Sequence, residues 1–379
     1  MTALYSVWHL LVDGLCAIAM FGKFIPNENG YFSILIYNFC AFALQMPFGV
    51  LLDAMNARDE KQKFDFSFLT AAIGVICTAV GAYTNPVILG IGNALFHIGG
   101  GVGTIHDRFG AEKSKINNRL IVRLGIFVAP GAIGLYLGTL LANAVMSDDK
   151  MLWTSVGMLL CVIVSWFALR RRGRKTGTNE EYVVEASVAE RIYDVADFTA
   201  SSDAAIAGNR YGIAAICLIV VVLRSYIGMS VGFSWKTGIA AGLLAVLALA
   251  CGKTAGGFLA ARYGLYRTAV VSLMLASVCY LFSSIMPVGL AALFLFNMTM
   301  PITLYWVICA FPRMPGFAFG VLTFALFLGF LPKYMEIEIA IGGNVIGCVG
   351  SILSLLLISV GIMKFPYVLN RIKIFKKLP

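Results

Sequence analysis

Charge is the scarcest property of this sequence. Only 13% of its 379 residues are Asp, Glu, Lys or Arg, whereas soluble domains carry about 25%. Hydrophobic residues make up 60% of the chain, and the mean hydropathy is +0.86. A chain of this composition lacks the polar residues to cover a water-soluble surface, so it must be solvated by lipid. We therefore expect no nucleic-acid partner and interpret the net charge of +10 as loop charge on one side of a membrane.

The residues that build common cofactor and metal sites are also sparse. The chain has no G-x-x-x-x-G-K-[ST] phosphate-binding loop, which argues against transport driven by ATP on this chain alone. Its nine cysteines include no C-x-x-C pair and lie in apolar stretches, as buried small residues do. Three histidines without a carboxylate cluster argue against catalytic zinc. We expect no cofactor, no metal and no enzyme activity.

What the sequence does contain is long apolar runs. A membrane-spanning helix needs about 20 such residues, and the runs are continuous rather than alternating, which excludes a transmembrane β-barrel. The predicted fold class is an all-α polytopic membrane protein with 12 transmembrane helices. The predicted spans are 3–25, 30–56, 66–84, 86–106, 119–144, 151–170, 211–233, 237–260, 267–286, 288–310, 314–334 and 341–363.

The positions of Lys and Arg predict how these helices are oriented. With both termini in the cytoplasm, most of the 29 Lys and Arg residues fall in cytoplasmic loops, as the positive-inside rule requires. The first apolar segment has no basic region before it and no small-residue cleavage site, so we interpret it as a retained helix. The predicted location is the cell (cytoplasmic) membrane. The basic residues left on the opposite face are Lys23, Lys150, Lys236 and Lys333.

A single long hydrophilic stretch divides the chain. We interpret 1–170 as an N-terminal six-helix bundle, 171–210 as a cytoplasmic linker, 211–365 as a C-terminal six-helix bundle, and 366–379 as a basic cytoplasmic tail. A faint repeat relates the halves: Gly49 leads to Asp53 and Arg58 after the second span, and Gly256 leads to Arg262 after the eighth. Repeated six-helix halves around a central cavity are typical of transporters.

These features resemble the major facilitator superfamily. The repeated loop is similar to its G-x-x-x-D-R-x-G-R pattern, in which the loop latches the cytoplasmic gate. By that resemblance Asp53, Arg58 and Arg262 are gating residues, although the second copy has Ala261 in place of Asp. The fifth span runs from Gly125 through Pro130 to Gly134 and Gly138 and resembles the Gly/Pro motif of the antiporter branch. The resemblance adds Pro130 and Gly134 to the gating set.

Ionisable side chains within the spans are the strongest functional signal, because each costs about 2.5–3.5 kcal/mol to insert. Asp13, His97 and Arg224 lie near the centres of the first, fourth and seventh spans, and Asn297 and Thr299 bracket the centre of the tenth. In the superfamily these four helices line the central cavity. His9 lies one turn before Asp13 on the same helix face, and Tyr226 follows Arg224. We predict that Lys253, in the eighth span, snorkels towards the cytoplasm.

Within the superfamily, three short patterns are similar to the fosmidomycin-resistance-type efflux group. The first is His9-x-x-x-Asp13-Gly14, the second Leu95-Phe96-His97 after a Gly-x-Gly, and the third Arg224-Ser225. That group usually has proline after the histidine of the fourth helix, where this chain has Ile98. We do not transfer that group's drug to this chain as a substrate.

The leading hypothesis is a secondary active transporter, a proton-coupled antiporter that exports a small organic anion by alternating access. Asp13 and His9 would carry the proton, and the substrate would bind at Arg224, His97, Tyr226, Asn297 and Thr299. Proton-coupled uptake by symport is the alternative, and an intramembrane enzyme or sensor is less favoured. Asp13 and Arg224 could instead form a fixed ion pair that only joins the halves. The expected partners are a small-molecule substrate, protons and the lipid bilayer, and we expect a monomer.

Overall fold

The computed structural model describes residues 1–27, 29–58, 66–106, 116–143, 148–175, 204–337 and 341–364. A helix lies at each of the twelve predicted segments. In the first half these are α1 (Thr2–Phe24), α2 (Gly30–Arg58), α3 (Phe66–Tyr83), α4 (Pro86–His106), α5 (Ile116–Val128 and Pro130–Asn143) and α6 (Asp148–Lys175). In the second half they are α7 (Ala204–Ser230), α8 (Gly238–Tyr263), α9 (Leu265–Leu281), α10 (Met286–Asn297 and Thr299–Ala310), α11 (Pro315–Tyr334) and α12 (Gly343–Lys364).

The protein is therefore an all-helical, multi-span membrane protein. Ten of these helices are long and apolar enough to cross a membrane, and the remaining two contain shorter apolar stretches, Met151–Phe167 in α6 and Leu265–Leu281 in α9. That all twelve cross, with both termini in the cytoplasm, stays a prediction. Large apolar side chains such as Trp153, at 72% exposure, and Phe282, at 59%, lie on the outer surface, which is the side that lipid would cover.

Helix continues into the predicted linker from both sides, and the domain boundaries stay a prediction. Helix α6 extends to Lys175 and α7 begins at Ala204. Apolar composition marks the membrane-embedded part of a helix but not the polar turns that extend beyond it. Hydropathy alone therefore makes these two helices too short on the linker side. Residues 176–203 and 366–379, which include the rest of the linker and the basic tail, lie outside the described residues.

Glycines set the closest helix contacts within the first half. Helices α3 and α4 form a hairpin in which a Cβ at Gly74 would overlap the Phe96 backbone, and one at Gly99 would overlap the Ala71 backbone. Lipid tails are as apolar as leucine, so membrane helices associate through this kind of close backbone packing. The hairpin fixes α4, which carries His97, against its neighbours.

The most extensive contacts between the halves are made by two helix pairs. Helix α2 packs along α11, and α5 packs along α8. Both contacts use small residues on each side: Gly49 faces the Gly316 backbone, and Gly125 faces the backbone of Thr254 and Gly257. The name "basic end" is used below for the end of the molecule where α2 ends at Arg58 and α11 begins at Pro315.

Helices α2, α5 and α10 are interrupted near their middles, α2 at Leu44. Helix α5 is interrupted at Ala129, directly before Pro130, because proline has no N–H to donate and its ring displaces the preceding turn. Helix α10 is interrupted at Met298, three residues before Pro301. Breaks at membrane depth leave backbone groups that other helices must satisfy.

We predict that Gly74→Ala destabilises the protein by about 1–3 kcal/mol, the usual effect of overpacking a tight site. Gly157→Ala in α6 is the matched control, because nothing lies within 4 Å of a Cβ built there and alanine is the better helix former by about 1 kcal/mol. Thermal unfolding of both purified variants in detergent checks the prediction. Equal melting temperatures for the two variants would contradict it.

Candidate functional site

Four polar side chains from α1 and α4 form one cluster in the first half. His9 Nε2 lies 3.2 Å from Asp13 Oδ2, and His97 Nε2 lies 2.9 Å from His9 Nε2 and 3.7 Å from Asp13 Oδ1. Asn93 Nδ2 donates to Asp13 Oδ1 at 3.1 Å. The structure thus brings His9 and Asp13 together as the sequence spacing predicted, and it places His97 with them.

The break in α5 completes this cluster. Three consecutive carbonyls beside Pro130 each meet a side-chain donor from another helix. The pairs are Ser6 Oγ with Ile126 O at 3.3 Å, His9 Nδ1 with Phe127 O at 2.7 Å, and Lys253 Nζ with Val128 O at 3.2 Å. Pro130 has no N–H to donate to the Ile126 carbonyl, and regular helix stops at Val128. The carbonyls beside this break accept hydrogen bonds from side chains of other helices.

Gly131, directly after the proline, allows this close approach. A Cβ there would overlap His9 Nε2 and Asp13 Oδ2. Gly134, one turn later, packs against the Leu10 backbone, and Gly138 packs against Gly14. Pro130 and Gly134 therefore shape the contact between α1 and α5 next to the cluster, and their predicted role in gating is not tested by this arrangement.

Lys253 lies at the interface between the halves, which corrects the prediction that it snorkels. Its ammonium is directed at the backbone in the middle of α5, and it interacts electrostatically with Asp13 on one side and Arg224 on the other. The sequence places Lys253 within reach of a helix end. What the sequence cannot show is that the break in α5 offers a carbonyl acceptor at that depth.

Arg224 in α7 is buried, with 8% of its surface exposed. Its Nη1 has no hydrogen-bond partner among the described residues, while the neighbouring Ser225 Oγ donates to Leu326 O at 2.7 Å and anchors α7 to α11. Asp13 and Arg224 form no ion pair: the carboxylate contacts His9, His97 and Asn93 instead. The hypothesis of a fixed Asp13–Arg224 pair does not describe this conformation.

The other predicted substrate-binding residues are Tyr226, Asn297 and Thr299, and no hydrogen bond among the described residues joins them to Arg224 or to the cluster. Tyr226 is half-buried. Asn297 Nδ2 donates to Leu293 O at 2.8 Å, and Thr299 Oγ1 donates to Phe296 O at 2.9 Å. Asn297 and Thr299 both donate hydrogen bonds to carbonyls of their own helix next to its break. The presence of these two polar residues beside Met298 is therefore explained without a bound substrate. Their part in substrate binding stays a prediction.

At the basic end, Asp53 joins the halves through a helix terminus. Its carboxylate oxygens accept hydrogen bonds from the backbone N–H groups of Gly316 and Phe317, both at 2.8 Å. These are unpaired donors in the first turn of α11, where the helix dipole also favours negative charge. Arg58 and Arg262 are exposed, and Arg262 stacks over its neighbour Tyr263 at 5.5 Å. The structure brings only Asp53 of the three to the contact between halves.

One further pattern in the sequence is Gly228-Met229-Ser230-Val231-Gly232, which matches the G-x-S-x-G nucleophile motif. It closes α7, which ends at Ser230, whereas the motif acts on a strand–turn–helix elbow. The two histidines within the cluster bond each other and backbone carbonyls rather than a serine. This match does not support a hydrolase.

Comparison with known proteins identifies the fold. No family model and no curated protein sequence matches the chain. The human organic anion transporter MFSD10 (TETRAN) matches its structure with a TM-score of 0.60 at 14% identity, covering 95% of this chain and 99% of that one. The chain therefore has the fold of the major facilitator superfamily transporters, as the sequence resemblance predicted. The fosmidomycin-resistance-type group stays a prediction.

Two structures of the fucose:proton symporter FucP also match. A single-residue variant of the E. coli protein has a TM-score of 0.48 at 12% identity, covering 95% of this chain and 97% of that one. A major facilitator superfamily transporter, FucP, in the outward conformation has a TM-score of 0.49 at 10% identity, covering 95% and 99%. That this chain is not an enzyme stays a prediction.

We predict that Asp53→Asn loosens the contact between α2 and α11, because the amide loses the charge that favours the helix N-terminus, an effect of about 0.5–2 kcal/mol. Spin labels at the exposed positions Ala57 and Met314, in a cysteine-free background, report the separation of the two helices. The distance distribution should broaden towards longer values in Asp53→Asn. Glu336→Gln, an exposed acid at the other end of the molecule, is the matched control, and an unchanged distribution in Asp53→Asn would contradict the prediction.

Proposed function

We propose that the protein is a proton-coupled secondary active transporter of a small organic anion that works by alternating access. The observation that carries this proposal is Arg224, a buried guanidinium whose Nη1 has no hydrogen-bond partner within the described part of the chain. An unpaired buried donor costs about 1–3 kcal/mol, and more when the group is charged. A bound anion would supply the missing acceptor and the missing countercharge.

The charges around Arg224 indicate the sign of the substrate. Lys253 and Arg224 are two cations of the second half that interact electrostatically. The Asp13 carboxylate of the first half is already held by His9, His97 and Asn93. A small anion between the halves would balance a positive charge that the protein leaves uncompensated. The similar human structure is named an organic anion transporter, which agrees with this class of substrate.

The proton would bind on the opposite half. Asp13 and His9 are in contact at 3.2 Å, and a carboxylate beside an imidazole can accept and release a proton without leaving its place. The anion would therefore bind to cations of α7 and α8 and the proton to α1. Because the two groups belong to different halves, a movement of one half against the other changes the distance between the two charges, which is the coupling that alternating access requires.

The gates would lie at the two ends of the contacts between halves. Asp53 bonds α11 at the basic end. At the other end, Tyr136 donates to Ile239 O at 2.7 Å, and Tyr31 donates to Tyr334 O. The hydrogen bonds at the two ends are separate, so those at one end can break while those at the other end are kept. Arg58, Arg262, Pro130 and Gly134 remain proposed gating residues by their resemblance to the superfamily patterns.

Export by antiport is the mode we propose, because Pro130 and its neighbouring glycines, the part of the chain that resembles the antiporter motif, build the backbone next to the proton site. Uptake by symport is the second candidate. Protonation of the Asp13 cluster removes negative charge near the anion site, and this favours binding both ions together. Accumulation of substrate under inward and outward proton gradients in proteoliposomes separates the two modes.

We predict that Arg224→Ala abolishes thermal stabilisation of the purified protein by its anionic substrate, because the buried countercharge is lost. A library of small organic anions first identifies the stabilising ligand, whose effect on wild type reaches about 2.7 kcal/mol at 100 times its dissociation constant. Asp13→Asn should keep that stabilisation and lose proton coupling. Arg267→Ala, at an exposed arginine, is the matched control. Stabilisation that survives Arg224→Ala would show that the anion binds elsewhere.

A further inference from the structure

The two imidazoles of the cluster are both held by backbone carbonyls. His9 Nδ1 lies 2.7 Å from Phe127 O, and His97 Nδ1 lies 2.9 Å from Asn93 O. A carbonyl oxygen only accepts hydrogen bonds, so each Nδ1 must carry the hydrogen. In a neutral imidazole with Nδ1 protonated, Nε2 is a bare lone pair.

The Nε2 atoms of these two rings face each other at 2.9 Å. Two lone pairs at that distance repel, so the contact needs a cation between them. We propose that His9 and His97 hold one proton between their Nε2 atoms, and that this shared proton, balanced by the Asp13 carboxylate, is the proton the transporter exchanges. The existence of the shared proton does not depend on the proposed function. Its role as the exchanged proton does rest on that function.

The charge balance of the cluster supports this placement. Two neutral imidazoles and one proton carry one positive charge, and the Asp13 carboxylate, 3.2 Å and 3.7 Å from the two Nε2 atoms, carries one negative charge. The loaded cluster is therefore neutral, which lowers its cost in an apolar environment. Release of the proton to water leaves both rings neutral and the cluster with the single negative charge of Asp13.

The surroundings favour a proton over a metal ion. The donor atoms of His9, Asp13 and His97 all lie within 4.8 Å of one another, so their spacing alone would admit either. The cluster contains one negative charge, however, and Lys253 interacts electrostatically with both Asp13 and His97. A divalent ion held by Asp13 and two neutral imidazoles would give the cluster a net positive charge next to that of Lys253, whereas a single proton leaves the cluster neutral. Among the described residues, the other titratable or charged groups that interact with the cluster are Cys16 on α1, Tyr37 on α2 and, through Lys253, Arg224 on α7.

The arrangement changes the role of His97 and links the proton to the interface. His97 belongs to the proton site rather than to the predicted substrate site. His9 is bonded to Phe127 O, and the adjacent carbonyl of Val128 is bonded to Lys253 of the other half. A change in the charge of the His9 ring therefore acts on the same two-residue stretch of α5 that Lys253 holds.

Histidine NMR tests the shared proton without any transport measurement. The chain has 3 histidines, so full-length protein labelled with ¹⁵N-histidine in lipid nanodiscs gives an assignable spectrum. We expect both cluster rings to be protonated at Nδ1 and to share one strongly deshielded Nε2 proton, a signal that His97→Gln and His9→Gln abolish. His106→Asn, at the exposed end of α4, removes only its own signals. Two neutral rings at every pH at which the protein stays folded, or an unprotonated Nδ1 on either ring, would overturn the proposal.

A zinc titration provides the second arm of the experiment. We expect a chelator to leave the shared-proton signal of the wild type unchanged. The opposite result would be a signal that appears only after chelation and is lost when one equivalent of Zn²⁺ is added. That result would show that a metal ion is the resident cation, and it would overturn the proposal.

Transport measurements distinguish failure of this inference from failure of the proposed function. In proteoliposomes, His97→Gln and His9→Gln should lose accumulation driven by a proton gradient while anions still stabilise the purified variants. Accumulation that stays gradient-driven in both variants would overturn the assignment of the shared proton as the coupling proton. A wild type that shows the shared proton but no gradient-driven transport of any stabilising anion would refute the proposed function and leave the first part of the inference supported.

Discussion

The break in α5 at Pro130 is the constraint on which the candidate site depends. A proline in the middle of a membrane helix leaves carbonyls that lipid cannot satisfy. In this protein Ser6 and His9 of the first half, and Lys253 of the second, supply the donors. Saturating one short stretch of backbone therefore fixes the tautomer of an intramembrane histidine and brings a cation of the opposite half next to it. Gly131 gives these side chains the space they need.

Much of the fold was predictable from the sequence, because a helix that crosses lipid needs a long apolar run and hydropathy detects such runs. The helices agree with the predicted spans to within a few residues at most ends. The i, i+4 spacing of His9 and Asp13 likewise predicted their contact, since helix geometry alone decides it. The polar turns at the ends of α6 and α7 were missed, because residues outside the membrane carry no hydropathy signal.

Contacts between helices were much harder to predict. The contact of His97 with His9 and the direction of Lys253 depend on how α4 and α8 pack against α1 and α5, which no local pattern encodes. Asn93 had a signal that could have identified it, since it lies one turn before His97 on the same face of α4. Asn297 and Thr299 show the opposite case: their depth suggested a cavity, whereas their hydrogen bonds serve the break in their own helix.

In the proposed mechanism a proton binds one half of the protein and an anion binds the other, and the movements of the two ions are linked. The most direct measurement records the internal pH of proteoliposomes with an enclosed pH-sensitive dye, starting without any gradient. Adding the stabilising anion outside should shift the internal pH through the wild-type protein, and the sign of the shift distinguishes antiport from symport. Anion entry with no pH change, under conditions where anion flux is independently detected, would contradict the account.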